Sequence, residues 1–341
     1  MDATTDPAPA EIDFVPDGFL DADARGLHEI LAGPTLVHLP GRHARPLFVS
    51  ALLHGNEDVG LRALQRVLKR FGDAPLPRAL SFFVGNVSAA RRGLRHLDGA
   101  PDYNRVWPGT PDDQLPEAAI MRRVRDAMAE RHVFASIDLH NNTGLNPHYA
   151  CVNSLAPEFL QLASLFSRTV VYFRQPLGVQ SAAFAPLCPA VTCECGRTGD
   201  ESGVIAAADF VEAALHLDAI PTHAVRHGDV HLFHTVATVK VPHGHGMSFD
   251  GADADIAFVA DLDHYNFREL PAGTPFAQVR GDAGLSARDD AGADVSAKYF
   301  TRDGATLRLA LPMMPAMLTR DERVVMQDCL CYLMERLALP G

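Results

Sequence analysis

The sequence predicts an α/β fold: a mainly parallel or mixed sheet with helices on both faces, followed by a smaller β-rich C-terminal domain. Three observations predict it. Apolar runs of strand length alternate with stretches of helical period from Leu47 to about residue 217. Polar groups able to bind metal recur where those runs end. Beyond Pro221 the runs shorten, and turn signals such as Pro271-Ala272-Gly273 separate them.

After a polar, Pro-containing lead-in, Leu47-Phe48-Val49-Ser50-Ala51-Leu52-Leu53 reads as a buried strand ending at His54. Leu61, Leu64, Leu68 and Phe71 then fall at helical spacing, with Gly72 placed to stop the helix. Leu80 to Val84 is the next strand. Residues 86–115 show no sustained period and predict a long functional loop. Pro116 opens a helix whose apolar face carries Ile120, Met121, Val124, Ala127 and Met128. Strands follow at Phe134 to His140 and Tyr149 to Asn153, and helices around 156–167 and 203–217 bracket a strand at Ala190 to Cys195.

These features place a catalytic domain over residues 1–220 and a β-rich domain over 221–341. The second domain holds Val230 to Val236 and Thr306 to Leu311 as short strands. It closes on a helix with Val325, Leu330, Leu333 and Leu337 on its apolar side. In a parallel sheet the site lies beyond the carboxyl ends of the strands. His54, His140 and Glu194 stand at or near three such ends.

Composition narrows the partners. The 341 residues suffice for a full core, and 47% hydrophobic with 21% charged residues is ordinary for a globular chain. Lys+Arg 30 against Asp+Glu 42 gives a net charge of −12, which argues against nucleic acid and anionic membranes. The acidic, polar start Met1-Asp2-Ala3-Thr4-Thr5-Asp6 is unlike a signal peptide, and no apolar run reaches the ~18 residues of a membrane span. Cys151, Cys188, Cys193, Cys195, Cys329 and Cys331 are accordingly expected as reduced thiols in a cytoplasmic protein.

His54-Gly55-Asn56-Glu57 and Asp138-Leu139-His140 together supply two imidazoles and a carboxylate. That is the ligand set of a catalytic zinc that keeps one position open for water. A lone His-x-x-Glu is weak in a chain with 16 His, but a tight turn at Gly55-Asn56 lets both ligands face one point, and His140 adds a third. Period-2 alternation sends Cys193 and Cys195 to the face opposite Glu194, as core packing. His243-Gly244-His245-Gly246 reads as surface turn. Serine-hydrolase elbows, phosphate loops and dinucleotide fingerprints are absent from the sequence.

Taken in order, His54-Gly55-Asn56-Glu57, Asn86, Arg95, Asn104-Arg105, Asp138-Leu139-His140-Asn141 and Glu194-Cys195-Gly196 resemble the succinylglutamate desuccinylase/aspartoacylase family. That family is a branch of the zinc carboxypeptidase-like, M14-type metallohydrolases, and the likeness covers about residues 45–200. It implies one Zn2+ per chain on His54, Glu57 and His140, and Glu194 as the carboxylate that takes the water proton and delivers it to the leaving amine. It implies Arg95 at the scissile carbonyl, and Asn104 and Arg105 on the substrate's α-carboxylate. Asn141, beside a ligand, is expected to orient substrate or ligand.

The chain departs from the family in carrying Tyr103 where Leu is common, and it offers no counterpart of the arginine that binds an acyl carboxylate. Tyr299 reads first as a buried aromatic, with a C-terminal tyrosine that reaches the site as the alternative. The expected activity is hydrolysis of the linear amide bond of an N-acylated amino acid or similar small amide. A peptide-cleaving metallocarboxypeptidase and a non-catalytic carboxylate-binding protein stay open as alternatives, as does assembly into a homo-oligomer.

Overall fold

The computed structural model describes residues 8–339. The acidic start read above, Met1 to Asp6, lies outside the described residues. Strands β1 (Ala10–Ile12) and β2 (Thr35–Leu39) occupy the lead-in, which the sequence reading left without elements. Strand β3 (Gly41–Ala51) then runs into helix α1 (Val59–Phe71), followed by strand β4 (Leu76–Val84). Helix α1 buries Val59, Leu61, Leu64, Val67 and Leu68 on one face. It ends where Gly72 adopts φ +51° and its N–H donates to the Leu68 carbonyl at 2.9 Å.

The stretch predicted as loop contains the short helix α2 (Val87–Arg92), whose first turn is capped by the Asn86 side-chain Oδ1 accepting from the Ala89 N–H. Next come α3 (Pro116–Glu130), β5 (Ala135–Asn142), β6 (Tyr149–Val152), α4 (Pro157–Phe166), β7 (Thr169–Tyr172), α5 (Gln180–Phe184), β8 (Ala190–Arg197) and α6 (Glu201–His216). Strand β7 and helix α5 were not read from the sequence. Basic residues on the outer face of α1 meet acids of α6: Arg62 pairs with Glu201, and Arg70 with Asp209 at 2.8 Å.

The remainder comprises β9 (His231–Lys240), β10 (Met247–Ser248), β11 (Ile256–Phe258), β12 (Pro275–Val279), β13 (Ser286–Arg288), α7 (Ser296–Tyr299), β14 (Phe300–Asp303), β15 (Thr306–Leu309), β16 (Met314–Ala316), α8 (Glu322–Gln327) and β17 (Cys331–Arg336). The expected closing helix is therefore corrected: it stops at Gln327, and Leu333 lies in a strand. Asp328, at φ −127° and ψ −87°, ends α8, and β17 gains a full antiparallel ladder with β9, including Leu333 opposite Ala237.

Two sheets result. The larger, twelve-stranded and mixed, runs β1-β2-β4-β3-β5-β8-β6-β7-β9-β17-β16, with β13 also on β9. The smaller is β10-β11-β12-β15-β14. Parallel pairing joins β4, β3, β5 and β8, whose buried runs form the main apolar core; a second core lies within the C-terminal strands. Strand β7 pairs with β9, so the large sheet continues across residue 221.

Candidate metal centre and its cavity

Neighbouring strands β3, β5 and β8 deliver the site. Ser50 lies beside Asp138, and His140 beside Glu194, so side chains from three separate sequence regions meet at one end of the sheet. The chain leaves β3 through Leu52, a non-glycine residue at φ +53°, in the sparsely populated left-handed region. Strain of this kind concentrates where a loop must be aimed. Gly55 then fits against α2, where a Cβ would overlap the backbone of Ala89 and Ala90. The Gly55 N–H donates to the Arg95 carbonyl at 3.0 Å. Close approach, more than turn geometry, is what this glycine provides.

His54 Nδ1 lies 2.8 Å from Glu57 Oε1, and His140 Nδ1 lies 2.7 Å from Glu57 Oε2. One donor atom from each of the three buried residues falls within 4.8 Å of the others. The far ring nitrogens are taken: His54 Nε2 by Asp102 at 3.0 Å and His140 Nε2 by Asp138 at 2.8 Å. Asp138 also accepts from the Ser50 hydroxyl at 2.7 Å. Carboxylates on Nε2 fix the tautomer that leaves the Nδ1 lone pairs facing Glu57. Two lone pairs cannot stay opposed to a carboxylate at such distances without a proton or cation between them. The donor set therefore fits a divalent metal ion.

The charges respond accordingly. Burial pushes the Glu57 carboxyl up, but His54 and His140 outweigh it and hold the group well below its usual value. Burial pulls His140 down, yet Asp138 and Glu57 hold it well above an ordinary imidazole. Glu194, 9% exposed, is pushed up to about 7, chiefly by burial and against the pull of His140. Its Oε2 is buried without a hydrogen-bond partner, and Glu194 lines the same cavity as the three metal-competent residues.

The other predicted residues gather here too. Arg95 donates from Nε to Asp102 at 3.0 Å, and its Nη1 lies 3.7 Å from Glu57 Oε1. The Asn104 amide donates to Asp138 at 3.3 Å and accepts from the Gln180 N–H at 2.9 Å. Asn141 accepts from the Val59 N–H and donates to the Gly196 carbonyl, both at 3.1 Å. Its own N–H points to Glu57 at 3.2 Å. Both asparagine amides are thus engaged within the chain. Arg105 donates to Asp328 at 2.8 Å.

Tyr299 is 1% exposed, packs in the second core and does not line the cavity; the C-terminal tyrosine that does is Tyr332. Sequence reasoning missed Asp328, Tyr332 and the imidazole partners Asp102 and Asp138. Asp138 was visible inside a quoted motif, one strand step from His140, and Asp102 stands two residues before Asn104. Asp328 and Tyr332 carried no signal. Cys193 and Cys195 are fully buried in the main core, away from the cavity.

A cavity of about 90 Å³ opens on these groups, walled also by Ala316, Met317, Tyr332 and Met334 from the C-terminal strands and loops. Two histidines and a glutamate placed so that they could hold a metal ion, beside the buried Glu194 carboxyl, are an arrangement that metal-dependent hydrolases use. Within that class the succinylglutamate desuccinylase/aspartoacylase catalytic-domain model matches residues 43–221, more than half of the chain, and the protein belongs to that family.

Solved structures agree in fold. The succinylglutamate desuccinylase of Chromobacterium violaceum superposes with a TM-score of 0.57 at 18% identity, over 88% of this chain and 87% of its own. The succinylglutamate desuccinylase/aspartoacylase of Rhodobacter sphaeroides gives 0.58 at 14%, over 89% of each. Murine aminoacylase 3 gives 0.53 at 15%, over 87% of this chain and 96% of its own. No curated protein matches the chain. Among the described residues no helix is long and apolar enough to cross a membrane.

Proposed function

We propose that the protein is a zinc-dependent deacylase that hydrolyses the amide bond of an N-acylated amino acid or similar small amide. One observation carries this reading: His54, Glu57 and His140 converge on a cavity that the buried Glu194 carboxyl also lines. Zinc held by those three residues supplies Lewis-acid activation of water and of the scissile carbonyl.

Glu194 takes a proton on its carboxylate as water attacks the acyl carbon and returns it to the departing nitrogen. A carboxyl raised to about 7 suits both transfers near neutrality. Arg95 stabilises the carbonyl oxygen as it gains negative charge. Asp102, Asp138, Asn104 and Asn141 hold the ligands in place, and Arg105 meets the amine-side portion of the substrate.

The walls given by Met317, Tyr332 and Met334 support a small substrate over an extended peptide. Six unpaired cysteines agree with a reducing compartment, which we take to be the cytoplasm.

The test joins metal analysis to a panel of N-acetyl, N-formyl and N-succinyl compounds. Purified protein should carry one zinc per chain, and Glu194→Gln should keep the metal while losing about 10²–10⁴-fold in kcat. Full turnover by that variant, or turnover after complete metal removal, would refute the reading.

A further inference from the structure

Arg95 and Arg105 are the only arginines or lysines among the described residues that line the cavity, and both already face carboxylates of this chain. Asp328 bridges them: Oδ1 accepts from Arg105 Nη2 at 2.8 Å and Oδ2 from Arg95 Nη2 at 3.2 Å. Arg95 Nη2 also lies 2.9 Å from Asp102. Two cations are thus matched by two carboxylates, before any substrate enters.

Asp328 is no loose surface group. Its side chain is 18% exposed, and its N–H donates to the Val324 carbonyl at 2.9 Å. Two residues on, the Leu330 N–H donates to the Val239 carbonyl at 2.8 Å, which ties the segment to the large sheet.

Resting on the deacylase reading, we propose that Asp328 is a specificity-determining residue. It occupies the arginine pair that a substrate carboxylate would otherwise use, and so, of the two kinds of substrate named above, it favours small N-acyl amides without a carboxylate over N-acylated amino acids. A substrate carboxylate could reach the arginines only by displacing Asp328. That breaks two charge-assisted hydrogen bonds and leaves a largely buried carboxylate unpaired, an expensive exchange in a low-dielectric cavity. A neutral group leaves the bridge intact. The other walls, among them Val171, Phe173, Val179 and Met334, offer an acyl group apolar contact and no charge.

The experiment compares acetate release from N-acetyl-L-alanine and from N-acetyl-L-alaninamide by the zinc-loaded protein, then by Asp328→Asn and Asp328→Ser. Wild type should favour the alaninamide by tenfold or more in kcat/KM. The variants should narrow that ratio at least tenfold, through a lower KM for the carboxylate. A wild-type preference for N-acetyl-L-alanine overturns the proposal, and so does an unchanged ratio in folded variants. Should neither variant fold, the wild-type ratio decides.

If no protein releases acetate, hydrolysis of these amides fails and calorimetric binding decides the selectivity separately. N-acetyl-L-alanine should then bind Asp328→Asn about tenfold more tightly than wild type. Equal or weaker binding overturns the proposal.

Discussion

Asp138 shows how much of this centre rests on residues that never touch the metal position. Its side chain is fully buried, receives the Ser50 hydroxyl and the Asn104 amide, and faces His140 Nε2. Replacing one oxygen by an amide, Asp138→Asn, leaves the volume nearly unchanged while removing the charge that fixes the ring. Zinc affinity should fall about 10–100-fold. Competition against a fluorescent chelator measures it, and wild-type affinity would show that His140 needs no such orientation.

Residue chemistry also explains what could be read in advance. His54, Glu57, His140 and Glu194 were legible because each sits in a short motif at a strand end, where chain order already constrains geometry. Asp328 was not, because its meeting with Arg95 spans more than two hundred residues and no local pattern encodes it.

At the level of elements, the turn between β3 and α1 is the component with least freedom. Leu52 bends the chain at positive φ, Gly55 abuts α2, and at Gly60 an added Cβ would stand 2.8 Å from the Ala51 Cβ. Gly55→Ala should force α2 and the ligand loop apart, costing about 1–3 kcal/mol or more in stability, as overpacking does. Zinc stoichiometry should fall with it. Urea unfolding paired with metal analysis reads both, and a variant unchanged in each would mean that the turn is softer than its packing implies.

Strands and helices longer than about eight residues were recoverable from apolar spacing, as α1, α3 and the core of β3 illustrate. Among short ones, β6 and β15 stood out as apolar runs while β7 and α5 did not. The segment around Leu330 and Leu333 misled because apolar residues three apart fit a helix, while pairing with β9 decided for a strand.

For the molecule as a whole, the single large sheet is the governing fact. Strands β9, β17 and β16 extend the layer begun by the first half, and they help wall the cavity. A chain ended at residue 220 would leave the β7 edge unpaired and uncover Tyr149 and Val171, which pack with Phe233 and Met334. Such an edge invites association between chains. The truncated protein should therefore elute as aggregate in size-exclusion chromatography; a monodisperse, folded monomer would show that the first half is self-sufficient.

The placement of sulfur has a practical corollary. Burial is the leading cause that raises all six native thiols, Cys188 and Cys329 to about 12 and the others well above their ordinary value. At neutrality none offers an electron-rich thiolate to an alkylating dye. A single new cysteine engineered onto the outer surface would thus accept a fluorophore selectively, with every natural one left in place.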